Sequence, residues 1–207
     1  MNDHLNWRYT TKKFDPSKII AAQEFNSLLD ILRLAPSSFG LQPWKFVTVR
    51  DPLLRKQIKD CAWGQSQVTD ASHLIVFCAL TSIDETYIQK YIARIVQIRG
   101  VETDTLSAYE RGMQEFIKSQ SPKDMLQWMK RQAYIPLGML LAECAYRKID
   151  VCPMEGFDVQ KVDDALGLKQ EGATAVALCP VGYRASDDRY ALVKKVRFEV
   201  KDLFIER

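Results

Sequence analysis

The run LIVFCAL, Leu74 to Leu80, contains no polar residue. A strand with one wet face alternates apolar and polar side chains, so an unbroken run predicts a strand covered on both faces. Such a strand requires helices or a second layer above and below it. The segment ATAVALCPVGY, beginning at Ala173, predicts a second strand, and KFVTVR, ending just before Asp51-Pro52, predicts a third with β-branched and aromatic character. A short strand is expected near Val151.

Helical patterns lie between these strands. Phe25, Leu28, Leu29 and Leu32 repeat at helical spacing, which predicts a helix from Ala22 to Leu34, with Asp15 and Ser17 as capping candidates upstream. A helix is expected to begin near Leu53, and another follows Asp158, a good N-cap residue. The stretch from Asp84 to Ser119 reads as a pair of helices, with Gly100 and Gly112 as breakpoints. Residues from about Pro122 to Lys148 include AYIPLGMLLAECAY, whose Ala, Gly and Leu suit close helix packing, and Pro136 within it predicts a kink. The tail alternates roughly polar and apolar after Lys194. Strands interleaved with longer helices predict an α+β or α/β fold, and with no linker composition or solenoid repeat the chain reads as one domain over residues 1–207.

Composition narrows the partners. The apolar fraction of 47% and charged fraction of 27% are those of an ordinary globular protein, and 207 residues suffice to bury roughly 70% of the unfolded surface. A net charge of +3 with interleaved signs lacks the footprint of a dedicated nucleic-acid binder. The N-terminal residues have no apolar leader core and the apolar runs are too short to span a bilayer, so a cytoplasmic protein with no membrane partner is expected. Cys61, Cys78, Cys144, Cys152 and Cys179 are scattered without CxxC spacing, and His4 and His73 stand alone; buried free thiols and no metal site are the reading.

The common chemistry-bearing motifs are missing. There is no GxGxxG, GxxxxGK[ST] or GxSxG. Asp70 to His73 spells DASH, but adjacent residues point in different directions and triad members come from separate elements. What remains is an anion site. RYTTKKFD (Arg8 to Asp15) clusters Arg8, Lys12 and Lys13; on a helical turn or tight loop Arg8 and Lys12 face the same way, with Thr10 between them. Lys195 and Arg197, two apart near the other end, share a face of an extended segment. These pairs fit one dianionic group held where the termini meet, although for either pair alone solvated surface charge is the commoner reading. PSSFGLQPW (Pro36 to Trp44) and PMEGF (Pro153 to Phe157) are loops whose glycines let backbone amides approach a planar ligand.

Taken together and in order, RYTTKKFD, APSSFGLQPWKF, GQSQVTDASH, PMEGFD and VKKVRF resemble the FMN-dependent nitroreductase family of the oxygen-insensitive NAD(P)H type, over almost the entire chain. The resemblance implies a nitroreductase-like α+β fold with a central mixed, mainly antiparallel sheet flanked by helices. It also implies an obligate intertwined homodimer with FMN at the interface, AYIPLGMLLAECAY as interface helix and FEVKDLFIER as an arm wrapping the partner. Carried over by position, Arg8, Tyr9, Thr10 and Lys12 together with Lys195 and Arg197 would hold the FMN phosphate and ribityl chain. Pro36, Ser37, Ser38 and Gly40 would reach the flavin from the other subunit. Pro153, Met154, Glu155 and Gly156 would form the loop over the isoalloxazine, with the N–H at Glu155 directed at flavin N5. Gln67 would lie near the flavin N1–O2 edge, where other members place Lys, and Gly40 stands where many have Asn.

The chemistry implied is ping-pong: NADH or NADPH delivers hydride to the flavin, which then reduces a nitroaromatic, quinone or similar electron-poor acceptor by two electrons, with no side chain as catalytic nucleophile. Phe116, with Tyr109 and Phe39 behind it, is the candidate substrate contact, and an ordinary core position is the alternative for Phe116. A same-fold flavin enzyme of another reaction (dehalogenation or flavin fragmentation) and a non-catalytic FMN carrier are the rival functions.

Overall fold

A computed structural model describes residues 2–207 of the chain. Four strands, β1 (Trp44–Val49), β2 (His73–Leu80), β3 (Asp150–Val151) and β4 (Ala173–Gly182), form one sheet in the order β1-β2-β4-β3. Every strand pair is antiparallel, and β2 shifts register against β4 between Phe77 and Cys78. Outside the named strands, Thr10 makes a parallel bridge to Val151, which makes the pairing mixed but mainly antiparallel.

The apolar run of β2 is buried on both sides, as its composition predicts. Leu74, Val76 and Cys78 face one layer with Ile58 of α3 (Pro52–Cys61) and Val162 of α8 (Val159–Leu166). Ile75 and Phe77 face the other, against Phe25, Leu28 and Leu32 of α2 (Ala22–Leu34) and Leu137 and Leu140 of α7 (Pro122–Tyr146). Period-two alternation of β2 thus serves two cores at once. A third apolar cluster joins Ile88, Ile92 and Ile95 of α5 (Glu85–Arg99), Met113 of α6 (Ser107–Ser119) and Met125 and Met129 of α7, forming a helical cap at one end of the sheet.

Local signals set most helix ends. Asp51 accepts from Leu53 N (2.7 Å) and Leu54 N (3.0 Å), Asp84 from Tyr87 N (2.8 Å) and Asp158 from Lys161 N (3.2 Å), each supplying an acceptor to otherwise unpaired first-turn amides. Gly100 ends α5 at φ 64°, a left-handed conformation that glycine adopts without strain. Gly112 lies inside α6 and breaks nothing. Asp15 does not cap α2, which starts from Ala21 with no side-chain cap; its carboxylate instead accepts from Ser17 N (3.1 Å) in a local turn. α7 runs as one element through the buried Pro136.

Short helices α1 (Asn2–Trp7), α4 (Gln67–Asp70) and α9 (Val200–Leu203) complete the described elements. None of the described helices is long and apolar enough to cross a membrane. After β4 the chain leaves the sheet, and Leu192, Val196, Phe198, Phe204 and Ile205 are exposed along the tail.

Candidate functional site

The basic cluster near the N-terminus is extended, not a helical turn, and docks beside β3: Thr11 N donates to Val151 O at 3.3 Å. Two buried carboxylates hold it there. Asp150 accepts from Thr11 Oγ1 (3.2 Å) and from Arg184 N (2.9 Å) and Nε (2.9 Å), and the Arg184 guanidinium lies 4.2 Å from the Trp7 ring centroid and 4.5 Å from that of Tyr9. Asp188 accepts from the Tyr9 hydroxyl (2.7 Å), Lys12 N (3.0 Å), Lys13 N (3.1 Å) and Tyr190 N (3.1 Å). Burial pushes the Asp188 carboxyl up, but these donors outweigh it and hold its pKa below the ordinary value. Asp188 therefore ties the N-terminal segment to the start of the C-terminal tail.

That tie brings the two basic pairs together. Arg8, Tyr9 and Thr10 line a recess of about 260 Å³ with Lys195, Arg197 and Tyr190. Lys195 Nζ donates to the carbonyls of Leu5 and Arg8, the latter at 2.7 Å. Burial and then the neighbouring Arg197 lower the Arg8 pKa, while burial, Arg8 and Arg197 lower that of Lys195. No carboxylate lines the recess, and Arg8 Nε is buried without a hydrogen-bond partner among the described residues. Clustered like charges with an unsatisfied donor oppose folding unless an anion occupies the recess. The donor set fits a phosphate dianion, which takes several charge-assisted hydrogen bonds at once. Lys12 does not line this recess. Its ammonium lies close enough to Cys152, just before Pro153, to oppose the rise that burial causes in the thiol pKa, to about 11.

The Pro153–Gly156 loop leaves β3 beside the basic segment. Met154 is part of the sheet and core: its N–H donates to Leu178 O (2.8 Å), its carbonyl accepts from Leu178 N (2.9 Å), and its side chain is buried. Glu155 is exposed, and its N–H has no acceptor among the described residues. A Cβ on Gly156 would fall 2.6 Å from Trp63 Cζ3, so any larger residue there requires the exposed indole to move away. Gln65 Nε2 donates to Gly156 O (3.0 Å), and the buried Gln67 follows at the first position of α4. Tyr134 of α7 lies near this loop; burial first, and then the neighbouring Glu155 carboxylate, raise its phenol to about 12.

The Pro36–Gly40 loop lies under the helical cap. Phe39, Gly40 and Gln42 have φ of 55°, 67° and 46°, a conformation costly for residues with a Cβ. Outside donors and acceptors hold it: Ser38 N donates to Gln132 Oε1 (2.8 Å), Tyr87 OH to Leu41 O (2.8 Å) and Tyr109 OH to Phe39 O (2.6 Å). Ser37 Oγ accepts from Gln42 N (2.8 Å). The Tyr91 hydroxyl fills the space a side chain at residue 40 would take. Phe116 sits between Phe39 (5.3 Å between centroids) and Trp128 (5.2 Å), against the apolar cluster of the cap. The substrate candidates Phe39, Tyr109 and Phe116 are thus neighbours.

Sequence reasoning found the cations and the loops but missed what shapes them. Asp150, Asp188, Trp63, Tyr87 and Tyr91 were not singled out, and only the i, i+4 spacing of the two tyrosines on α5 offered a signal. The DASH string is structural. The His73 ring stacks on Phe25 at 3.7 Å, Ser72 Oγ accepts from Ile20 N (2.8 Å), and Arg55 donates to the carbonyls of Val68, Ala71 and Ser72.

Comparison with known proteins agrees. The Nitroreductase family model matches residues 5–183. YfkO of Bacillus subtilis is 34% identical over 212 residues, covering 97% of this chain and 94% of its own length. The oxygen-insensitive NAD(P)H nitroreductase of Salmonella typhimurium is 32% identical over 207 residues, covering 96% and 95%. An FMN complex of a nitroreductase-fold protein from Exiguobacterium sibiricum superposes with a TM-score of 0.84 at 18% identity, covering 100% of this chain and 96% of that one. With matches spanning nearly its whole length and the same fold, the chain belongs to the nitroreductase family.

Proposed function

We propose that the protein is an FMN-dependent NAD(P)H oxidoreductase of the cytoplasm that reduces nitroaromatics, quinones or similar electron-poor acceptors. The observation that carries this reading is the recess in which Arg8, Lys195 and Arg197 converge with no carboxylate among the described residues lining it. Those cations would hold the cofactor phosphate, with the Thr10 hydroxyl and Lys12 toward the ribityl chain. Bound FMN would supply the two-electron hydride chemistry, so no protein nucleophile is needed. The unpaired Glu155 N–H would orient the ring, and Gly156, covered by Trp63, keeps that loop thin enough for close approach. Phe39 and Phe116 would exclude water and stack with a flat acceptor.

The working unit in this reading is a homodimer. His4, Leu5, Ile31, Met139, Ala142 and Tyr146 line an open apolar groove of about 560 Å³, and Tyr134, Ile135 and Met139 are exposed on α7. An exposed apolar face of this kind, together with exposed Val196, Phe198 and Phe204 on the tail, suits burial against a second copy. Pro36 to Gly40 lie apart from the phosphate recess in one chain and would serve the flavin of the partner.

The test is the visible spectrum of the purified protein, followed anaerobically through addition of NADPH and then a quinone. A flavin band that bleaches and returns is the expected result. A band that persists with both nicotinamides refutes the donor, and a colourless protein that cannot be reconstituted with FMN refutes the reading.

A further inference from the structure

A second cationic recess, of about 270 Å³, lies between α5 and the residues that follow the Pro36–Gly40 loop. Trp44, Tyr87 and Tyr91 supply aromatic walls, and Lys90 and Arg94, one turn apart on α5, supply the charge. No carboxylate lines it, and neither cation enters an ion pair among the described residues; Arg94 Nη1 donates to the neutral amide of Gln97 (2.6 Å). The acid of the first turn of α5, Glu85, is taken by Lys118 at 2.7 Å. The Tyr87 hydroxyl is used by Leu41 O and Gln42 O, which leaves its ring as packing surface.

Size and position restrict the ligand. The volume is below the ~300–1,000 Å³ of a site for a whole drug-sized molecule, so one end of a longer ligand fits it. Aromatic walls suit a planar ring, and an Arg beside a Lys suits a phosphate. The recess adjoins the loop that the proposed function assigns to the flavin: Leu41 and Gln42 line it, and Tyr91, a third lining residue, reaches Gly40.

We propose that this recess binds the adenosine end of the nicotinamide donor, the purine against Trp44 and Tyr87 and the 2′-phosphate between Lys90 and Arg94, so that NADPH is favoured over NADH. The inference rests on the flavin-reductase reading above. Two cations facing a dianion give a preference for the phosphorylated ribose, because NADH offers no charge at that point.

The test uses FMN-loaded protein titrated calorimetrically with adenosine 2′,5′-bisphosphate and with adenosine 5′-monophosphate. Binding of the bisphosphate more tightly than the monophosphate is expected, weakened about 10- to 100-fold in Lys90→Ala/Arg94→Ala, the loss of one to two charge-assisted contacts. Both side chains are exposed and alanine favours helix, so the variant should fold. Its KM for NADPH should rise by a similar factor, while that for reduced nicotinamide mononucleotide, which lacks the adenosine, stays constant. Absence of bisphosphate binding, equal binding by the variant, or a KM rise shared by both donors overturns the proposal alone. A protein that holds no FMN overturns it together with the flavin reading, and the spectrum shows this before any nucleotide is added.

Discussion

Asp188 is the residue whose removal should most clearly couple stability to cofactor binding. It is 5% exposed, and its two carboxylate oxygens accept from one phenol and three backbone amides at 2.7 to 3.1 Å. A hydrogen bond to a charged group contributes about 1.5–3 kcal/mol. Four donors sharing one carboxylate do not add independently, and water reaches some of them once the side chain is gone. Asp188→Ala should therefore cost about 3–5 kcal/mol, the range for breaking a buried charged pair, out of a total of about 5–15 kcal/mol. Asp188→Asn keeps an acceptor and loses the charge, and should fall between. Urea unfolding at fixed protomer concentration measures the stability, and quenching of FMN fluorescence measures affinity, which should weaken because Arg8 and the Lys195 segment are anchored through this residue. The pH dependence has a defined sign. The folded pKa lies below the ordinary value of 3.8, so the contribution is complete above that value and is lost as pH falls through the lower folded pKa. An alanine variant within about 0.5 kcal/mol of the natural protein, the range of an ordinary surface change, would refute the reasoning.

Gly40→Ala should destabilise by at least about 1–2 kcal/mol from its left-handed φ, with further loss from the Tyr91 hydroxyl; Tyr91→Leu in the same chain should recover the steric part, and denaturant midpoints decide. Gln67→Lys should raise the FMN midpoint potential, since an ammonium at the flavin edge stabilises the anionic reduced form; a potential unchanged in spectroelectrochemical titration contradicts this. Phe116→Ala should shift acceptor preference in steady-state kinetics while FMN stays bound, whereas unchanged kinetics across several acceptors would assign the ring to packing alone. Of the five cysteines, burial raises Cys78 and Cys144 to about 12 and raises Cys179 well above the ordinary thiol value, so an aromatic disulfide reagent should titrate the half-buried Cys61 in the native protein and all five only after denaturation.

Legibility differed by the range of the interaction. α2 spans Ala22 to Leu34 as the spacing of Phe25, Leu28 and Leu32 predicts, and α8 follows the Asp158 cap, because periodicity and capping act within a few residues. Gly112 misled because a lone glycine is tolerated in a helix that packs Met113 into the cap. Asp15 misled because a short carboxylate serves a turn as readily as a helix. At the site, the charges of Arg8, Lys195 and Arg197 were visible, but not the buried Asp150 and Asp188 that set the backbone between them; an acid in a sequence looks the same whether it faces solvent or four donors.

The sequence by itself determined the doubly covered strand, the interleaved helices and the two basic clusters, since each follows from composition and spacing along a single segment. Only the tertiary structure decided that Arg8 meets Lys195 across the chain, that Tyr91 occupies the space Gly40 leaves open, and that Trp63 closes over Gly156. Those contacts depend on how separate elements pack in three dimensions, where steric fit and shared burial act between residues far apart in the chain.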